Sequence, residues 1–272
     1  MSSRIIDQES PFRFVALDQA GRRVGFATRA RELYGQPLKP GQQTIEVFVE
    51  PEARGAGIGS ALLTAIEQAA RKDGASSLVC STAPEEQDAL AYMLRRGYTV
   101  HHEMLDGKLD LTRFDPSVWR PTIVDAEAVG YRFTTLLQGQ DDPGLLQNLY
   151  ELDRTCSEDI PEWSGVMPSF EEYAASLRAC DSEAIIIAWC GDNLIGYMVT
   201  EPDGHTAMLG VLREYRGKQI ALILKVLTAA WAKRKGLKEL ATNNNAASEA
   251  IIALNRKLGY VMRFGRTHLI KH

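Results

Sequence analysis

Cysteine is scarce. Four stand among 272 residues, at Cys80, Cys156, Cys180 and Cys190, and no two form a C-x-x-C pair. The five histidines are scattered as well. A structural metal needs such ligands clustered at short spacing, so the thiols are expected to be free and buried, with no metal and no disulfide. Long apolar runs are missing too: no stretch reaches the ~20 residues that cross a bilayer. The opening "MSSRIIDQESPFRF" has no apolar signal core. These gaps predict a soluble cytoplasmic protein with no membrane partner. There is no basic excess, because 31 Lys+Arg face 35 Asp+Glu for a net charge of -4, which argues against nucleic acid as a partner. A G-x-x-x-x-G-K-[ST] phosphate loop is also absent.

What is present is an ordinary globular composition, 45% hydrophobic and 24% charged, sized for one large domain or two ordinary ones. It is also a repeat. A constant offset of 162 residues carries Val49 to Val211, Arg54 to Arg216 and Gly55 to Gly217. The same offset carries Gly74 to Gly236, Gly97 to Gly259 and Tyr98 to Tyr260. Further upstream the offset becomes 171, pairing Gly25 with Gly196, so the first copy has nine extra residues around "RELYGQPLKPGQ". A period this long is a duplicated domain rather than a solenoid unit.

Periodicity gives each copy the same order of elements. In the first, "RFVALD" and "RVGFATRA" flank a turn, and "TIEVFV" is a strand. Ile58, Leu62, Ala65, Ile66 and Ala69 then recur at helical spacing, and Gly74 ends the helix. "SSLVCS" reads as a strand and 85–95 as a helix, with "YTVHHEML" and "KLDLTRF" as a terminal hairpin. In the second copy "EAIIIAWC", "LIGYMVT" and "HTAMLGV" are strands. Ile220, Ile223, Leu224, Leu227 and Trp231 form a helix face. "KELAT", a helix over 246–258 and a closing pair "YVMRF"/"THLIK" follow. Before its hairpin the second copy also has a strand at "YRFTTLL" and helices near 144–153 and 169–177. The first copy is expected to lack this opening strand and its helices. The expected limits are 1–115 for the first domain, 116–128 for a linker around "FDPSVWRP", and 129–272 for the second domain. The fold class is α/β (α+β), each domain a mixed, mostly antiparallel sheet flanked by helices.

The repeat carries chemistry. A strand that turns into a helix through Arg-Gly-x-Gly-x-Gly presents free backbone N–H groups at a positive helix end, a seat for pyrophosphate. "RGAGIG", Arg54 to Gly59, and "RGKQIA", Arg216 to Ala221, both lie between a strand and a helix. The alternative is a tight strand–helix connection with glycines for packing. In the second copy Gln219 replaces Gly57, yet glutamine keeps its own amide. Within a first helical turn it is expected to need no positive φ.

These residues resemble the Arg/Gln-x-x-Gly-x-Gly/Ala signature of the GNAT acetyltransferases, and "VFV", "LRRGY" and "RKLGY" fit the same pattern. The resemblance covers nearly the whole chain as two tandem domains, a layout similar to mycothiol synthase-like proteins. It implies acetyl-CoA as cofactor. In the first copy Val47, Phe48 and Val49 would pair with the pantetheine arm, and Arg54, Gly55, Ala56, Gly57, Ile58, Gly59 and Ser60 would hold the pyrophosphate. In the second copy the equivalents are Leu209, Gly210 and Val211, then Arg216, Gly217, Lys218, Gln219, Ile220, Ala221 and Leu222. Asn244, in a "T-x-N" pattern, would line the cofactor channel.

The resemblance also points to catalytic positions. A glutamate base would stand at His205, a residue type that titrates near neutrality. The plainer reading is a polar residue at a strand start. The first copy has Gln43 there, which cannot act as a base, with Glu46 as a weaker candidate. The tyrosine acid position is Asn255 in the second copy and Met93 in the first. Asn255 is read either as a hydrogen-bonding partner of the cofactor or as a local backbone cap. "ELDRTCSEDIPEW" holds Glu151, Asp153, Glu158, Asp159 and Glu162 before Trp163, either a surface for a cationic acceptor or a solvated acidic loop.

The expectation is an acetyl-CoA-dependent N-acetyltransferase acting on a primary amine of a small molecule or peptide by direct attack. The C-terminal domain would be the catalytic one, in a monomer or homodimer. Two alternatives stand beside it: a non-catalytic acyl-CoA-binding or scaffolding protein, and activity in the N-terminal domain.

Overall fold

The computed structural model describes residues 5–10, 12–33 and 36–272. The chain divides into two compact units, residues 1–103 with 266–272 and residues 104–265.

The first unit is a sheet with helices. Its elements are β1 (Ile5–Ser10), β2 (Arg13–Leu17), β3 (Arg23–Ala30), the short pair β4 (Glu32–Leu33) and β5 (Gln36–Pro37), and β6 (Gln42–Val49). Then come α1 (Ile58–Lys72), β7 (Ser77–Thr82), α2 (Gln87–Arg95) and the start of β8 (Thr99–Asp110). β1, β2, β3 and β6 pair antiparallel in sequence order. β6 and β7 pair parallel only from Gln42 to Thr44. Ile58, Leu62 and Ile66 of α1 are buried as the periodicity predicted, and Leu63 and Ala70 complete the face in place of Ala65 and Ala69, which are only partly buried. Each large aliphatic side chain so buried contributes about 1.5–3 kcal/mol. Tyr34 and Gly35, in the loop expected from the nine extra residues, lie outside the described residues.

The second unit holds α3 (Arg120–Ala128), β9 (Tyr131–Thr135), α4 (Leu145–Ser157), α5 (Phe170–Ala179), β10 (Ile185–Cys190), β11 (Asn193–Thr200) and β12 (Thr206–Val211). It continues with α6 (Ile220–Arg234), β13 (Glu239–Asn245), α7 (Glu249–Lys257) and the start of β14 (Val261–Lys271). β9 to β12 form an antiparallel sheet. Ser169 and Glu172 form a capping box that starts α5, which explains the sharp onset of that helix. α4 and α5 pack on one face of the sheet, burying Leu149, Cys156, Tyr173 and Tyr197. α6 packs on the other face through Ile220 and Leu224.

Four expectations need correction. The first copy does have an opening strand, β1, paired along β2; what it lacks is helices between that strand and the next. The sequence before "RFVALD" has no alternation to announce a strand, and pairing supplies what the pattern does not. Residues 116–128, expected as a linker, form a 3-10 turn and α3, with Phe114 and Ala126 buried in the second unit's core. Pro121 sits in the first turn of α3, where a missing N–H costs nothing.

The two terminal hairpins are single strands. β8 runs unbroken through Gly107, where an added Cβ would lie 2.6 Å from Met262 Sδ and 3.0 Å from Thr242 Cγ2. That glycine serves close approach, not turning. In the second unit residues 104–110 of β8 pair with β13, and in the first unit residues 267–271 of β14 pair with β7.

Candidate active site

β12 and β13 meet only where β12 begins. His205 bridges Ala241 in parallel sense, and the Ala241 N–H donates to the Gly204 carbonyl at 3.0 Å. Beyond that bridge the two strands have no ladder, and between them opens a cleft of about 810 Å³. β12 lines it from Thr206 to Val211 and β13 from Thr242 to Asn245. The start of α6 and the α7 face bearing Ile251 and Leu254 complete the wall. The outer edge of β12 is paired with β11, so its inner edge offers backbone groups to a ligand as an added strand would.

α6 begins at this cleft without a side-chain cap. Its first intrahelical bond runs from the Ile223 N–H to the Gln219 carbonyl, 3.0 Å, which leaves the N–H groups of Ile220, Ala221 and Leu222 without an acceptor within the helix. α1 starts alike, with the Ala61 N–H to the Gly57 carbonyl at 3.0 Å. In both copies the arginine Nε donates back to the strand, Arg54 to the Val49 carbonyl and Arg216 to Val211, each at 3.0 Å. The arginine thus fixes the strand–helix turn.

Gln219 overturns one expectation. Its φ is 64°, the only left-handed non-glycine backbone among the described residues. It is the cap residue preceding the helix, not part of the first turn, and the position does require positive φ.

The proposed base, His205, sits at the closed end of the cleft and is not among its lining residues. Its Nε2 contacts Asn243 Oδ1, and Asn243 Nδ2 donates to Asp106. Its backbone N–H donates to Asp203 Oδ1 at 2.9 Å. The first-copy counterpart, Gln43, is buried between Arg29 and Asp73, and hydrogen bonds from Arg29, then Arg31, hold the Asp73 carboxyl at about 2. Glu46 is exposed and accepts from Thr28 at 3.5 Å. Asn255 is fully buried and does not cap backbone. Its Nδ2 donates to Asn244 Oδ1 at 2.7 Å, and its own Oδ1 has no hydrogen-bond partner among the described residues. Met93 packs in the first unit's apolar core.

Much of the negative charge of the α4–α5 segment is already engaged. Arg154 pairs with Glu151, and Arg213 and Arg216 grip Asp159, holding its carboxyl at about 2. Asp153 is bonded by Ser157, and burial pushes its carboxyl up. Asp159 and Glu162 do line the cleft, as do Cys156 and Lys225. Lys225 was not foreseen as a site residue, although a lysine inside "IALILKVLTAAW" is itself a signal.

An open strand edge beside an uncapped helix start can take a ligand with an extended arm and a pyrophosphate. The Acetyltransferase (GNAT) family pattern matches residues 2–98 and 146–260, and the chain belongs to that family of acetyltransferases. A mycothiol acetyltransferase of Nocardiopsis dassonvillei is 24% identical, over 92% of this chain and 79% of its own length. Two solved structures share the fold. A GCN5-related N-acetyltransferase from Sphaerobacter thermophilus aligns with a TM-score of 0.70 and 18% identity, over 97% of this chain and 82% of its own. A tandem GNAT protein from the clavulanic acid biosynthesis pathway aligns at 0.66 and 20%, over 98% and 83%. Members of this fold family generally use acetyl-CoA. Among the described residues no helix is long and apolar enough to cross a membrane, and no cluster could hold a metal ion.

Proposed function

We propose that the second unit binds acetyl-CoA in the β12–β13 cleft and transfers acetyl to a primary amine of a small molecule or peptide by direct attack. The observation that carries this reading is the pairing of an open strand edge with an uncapped helix start in one 810 Å³ cleft. In this reading the pantetheine arm lies along Leu209 to Val211. The N–H groups from Gly217 to Leu222 take the pyrophosphate. A β12 amide stabilises the developing oxyanion. His205, through solvent, accepts the proton of the attacking amine. In the first copy, Val47 to Val49 and Arg54 to Ser60 would serve a second cofactor or a structural role. The absence of covering helices between β1 and β2 favours the second unit as the acceptor site.

Free-thiol release from acetyl-CoA, measured against a panel of amines, tests the reaction. Turnover with at least one amine is expected, and His205→Ala should reduce it. A turnover unchanged across pH would remove His205 as the base. The second reading, an acyl-CoA-binding module without turnover, draws support from Asn255, which puts an amide where an acid hydroxyl would serve. Cofactor binding with no thiol release on any amine would favour it.

A further inference from the structure

Lys225 is the sixth residue of α6, and its Nζ is buried with no hydrogen-bond partner among the described residues. The side chain is 2% exposed and lines the cleft, with Nζ 4.8 Å from the centre of the Tyr260 ring. A buried amine left unsatisfied costs several kcal/mol, so a fold keeps one only where something else requires it.

The repeat shows what the fold alone would place there. At the offset of 162, Lys225, Thr242 and Asn255 correspond to Leu63, Cys80 and Met93. Those three pack with Tyr98 in one apolar cluster of the first unit. In the second unit the tyrosine is kept as Tyr260, and all three apolar partners are polar. Two of the three, Lys225 and Thr242, line the cleft, and Asn255 is buried and bonded to the lining Asn244.

We propose that Lys225 is a catalytic residue of this cleft, the proton donor to the sulfur that leaves when an acyl thioester bound there is cleaved. The proposal rests on the cleft's being the acetyl-CoA site. As the C–S bond breaks, its electron pair goes to sulfur and a proton moves from Nζ to that sulfur. Lys225 is left as a neutral amine. It is recharged by the proton that the acceptor nitrogen loses on becoming an amide, relayed through solvent. Three nearby groups, buried Asn255 and the lining Cys156 and Asp159, are poorly suited. Asn255 cannot give a proton at neutral pH, burial pushes the Cys156 thiol up to about 12, and Asp159 is ionised between two arginines. Burial alone, with no charged neighbour contributing, pushes Lys225 down to about 7, where an acid and its base are both populated at neutral pH.

The test uses coenzyme A and the full chain and needs no acceptor. Calorimetry measures binding, and the ultraviolet absorbance of the thiolate follows titration of the bound thiol. With wild type the bound thiol is expected to titrate at least about one pH unit below the ~8.5 of a free thiol, because an ammonium neighbour favours the thiolate. Lys225→Leu, which restores the first copy's residue, should bind coenzyme A and lose that shift. It should also melt higher than wild type, because a buried amine without a hydrogen-bond partner is gone; Lys225→Met is the second variant. Binding to both proteins with the same thiol titration would overturn the proposal. So would an acetyl group found on Lys225 by mass spectrometry after incubation with acetyl-CoA, which would make it an acceptor. Failure of wild type to bind coenzyme A would overturn the reading of the cleft itself, a result distinct from the other two.

Discussion

Gln219 holds the left-handed backbone that Gly57 holds, with φ of 64° at the glutamine and 81° at the glycine. Each immediately precedes a 15-residue helix. For a residue with a side chain that conformation costs about 1–2 kcal/mol. Glycine relieves it but gains roughly 0.5–1 kcal/mol of freedom in the unfolded chain. Gln219→Gly should therefore stabilise by about 0.5–1 kcal/mol, read as a rise of a few degrees in thermal unfolding. Gln219→Val, β-branched and poorly tolerated at positive φ, should move the midpoint the other way.

A second contrast concerns Gly210, which stands where the first copy has Phe48. A Cβ on Gly210 would lie 2.8 Å from both Cβ and Sγ of Cys156 and 2.8 Å from the Tyr197 ring, because α4 presses on the strand there. Gly210→Ala is expected to cost about 1–3 kcal/mol and to displace α4 from the cleft. In the first unit no helix covers this position, and Phe48 stays 38% exposed, stacked on Phe26 at 5.5 Å. Phe48→Ala should cost only about 0.5–1 kcal/mol. Denaturant unfolding of both variants checks the difference.

The same glycines show what was legible in the sequence. Gly25 and Gly196 pair across the repeat because a Cβ on either would meet a neighbouring strand carbonyl, at 2.7 Å from Phe48 O and 3.0 Å from Gly210 O. The repeat therefore revealed the strand order, the helix faces and both helix starts. Gly107 misled for the same physical reason. A glycine needed for contact with Met262 cannot be told from a turn glycine when the contacting strand is more than 150 residues away in sequence. β1 and α3 were hidden because pairing and burial, not local pattern, sustain them. Lys225 was visible in the sequence, but its meaning depends on a cleft that only the tertiary fold creates.

The four cysteines should differ sharply in reactivity. Burial pushes the thiols of Cys80 and Cys156 up to about 12, so almost none of either is thiolate at pH 8. A disulfide reagent such as Ellman's should react with these two at least about a hundredfold more slowly than with an ordinary exposed thiol. At most Cys180 and Cys190 should respond quickly in the folded protein, and all four after unfolding. Rapid labelling of Cys156 in the native state would contradict its burial between α4 and β12.

Acid should loosen the first unit through two stacked rings. His102 and His268 lie 4.3 Å apart at an interplanar angle of 14°, with His101 edge-on to His102. Burial, then the neighbouring positive charges of His101 and, for His268, of His102 and Arg266, holds both rings down to about 4, against 6.5 for a free imidazole. The folded state thus binds fewer protons than the unfolded chain between those values. Stability is full above pH 6.5 and is lost as pH falls toward 4. The loss should be on the order of 2–4 kcal/mol for the pair, after allowing for solvent screening of partly exposed rings. His102→Phe keeps a stacking ring and removes one titrating group, so it should roughly halve the acid dependence of the melting temperature between pH 6.5 and 4. An identical pH profile in the variant would show that the acid sensitivity lies elsewhere in the chain.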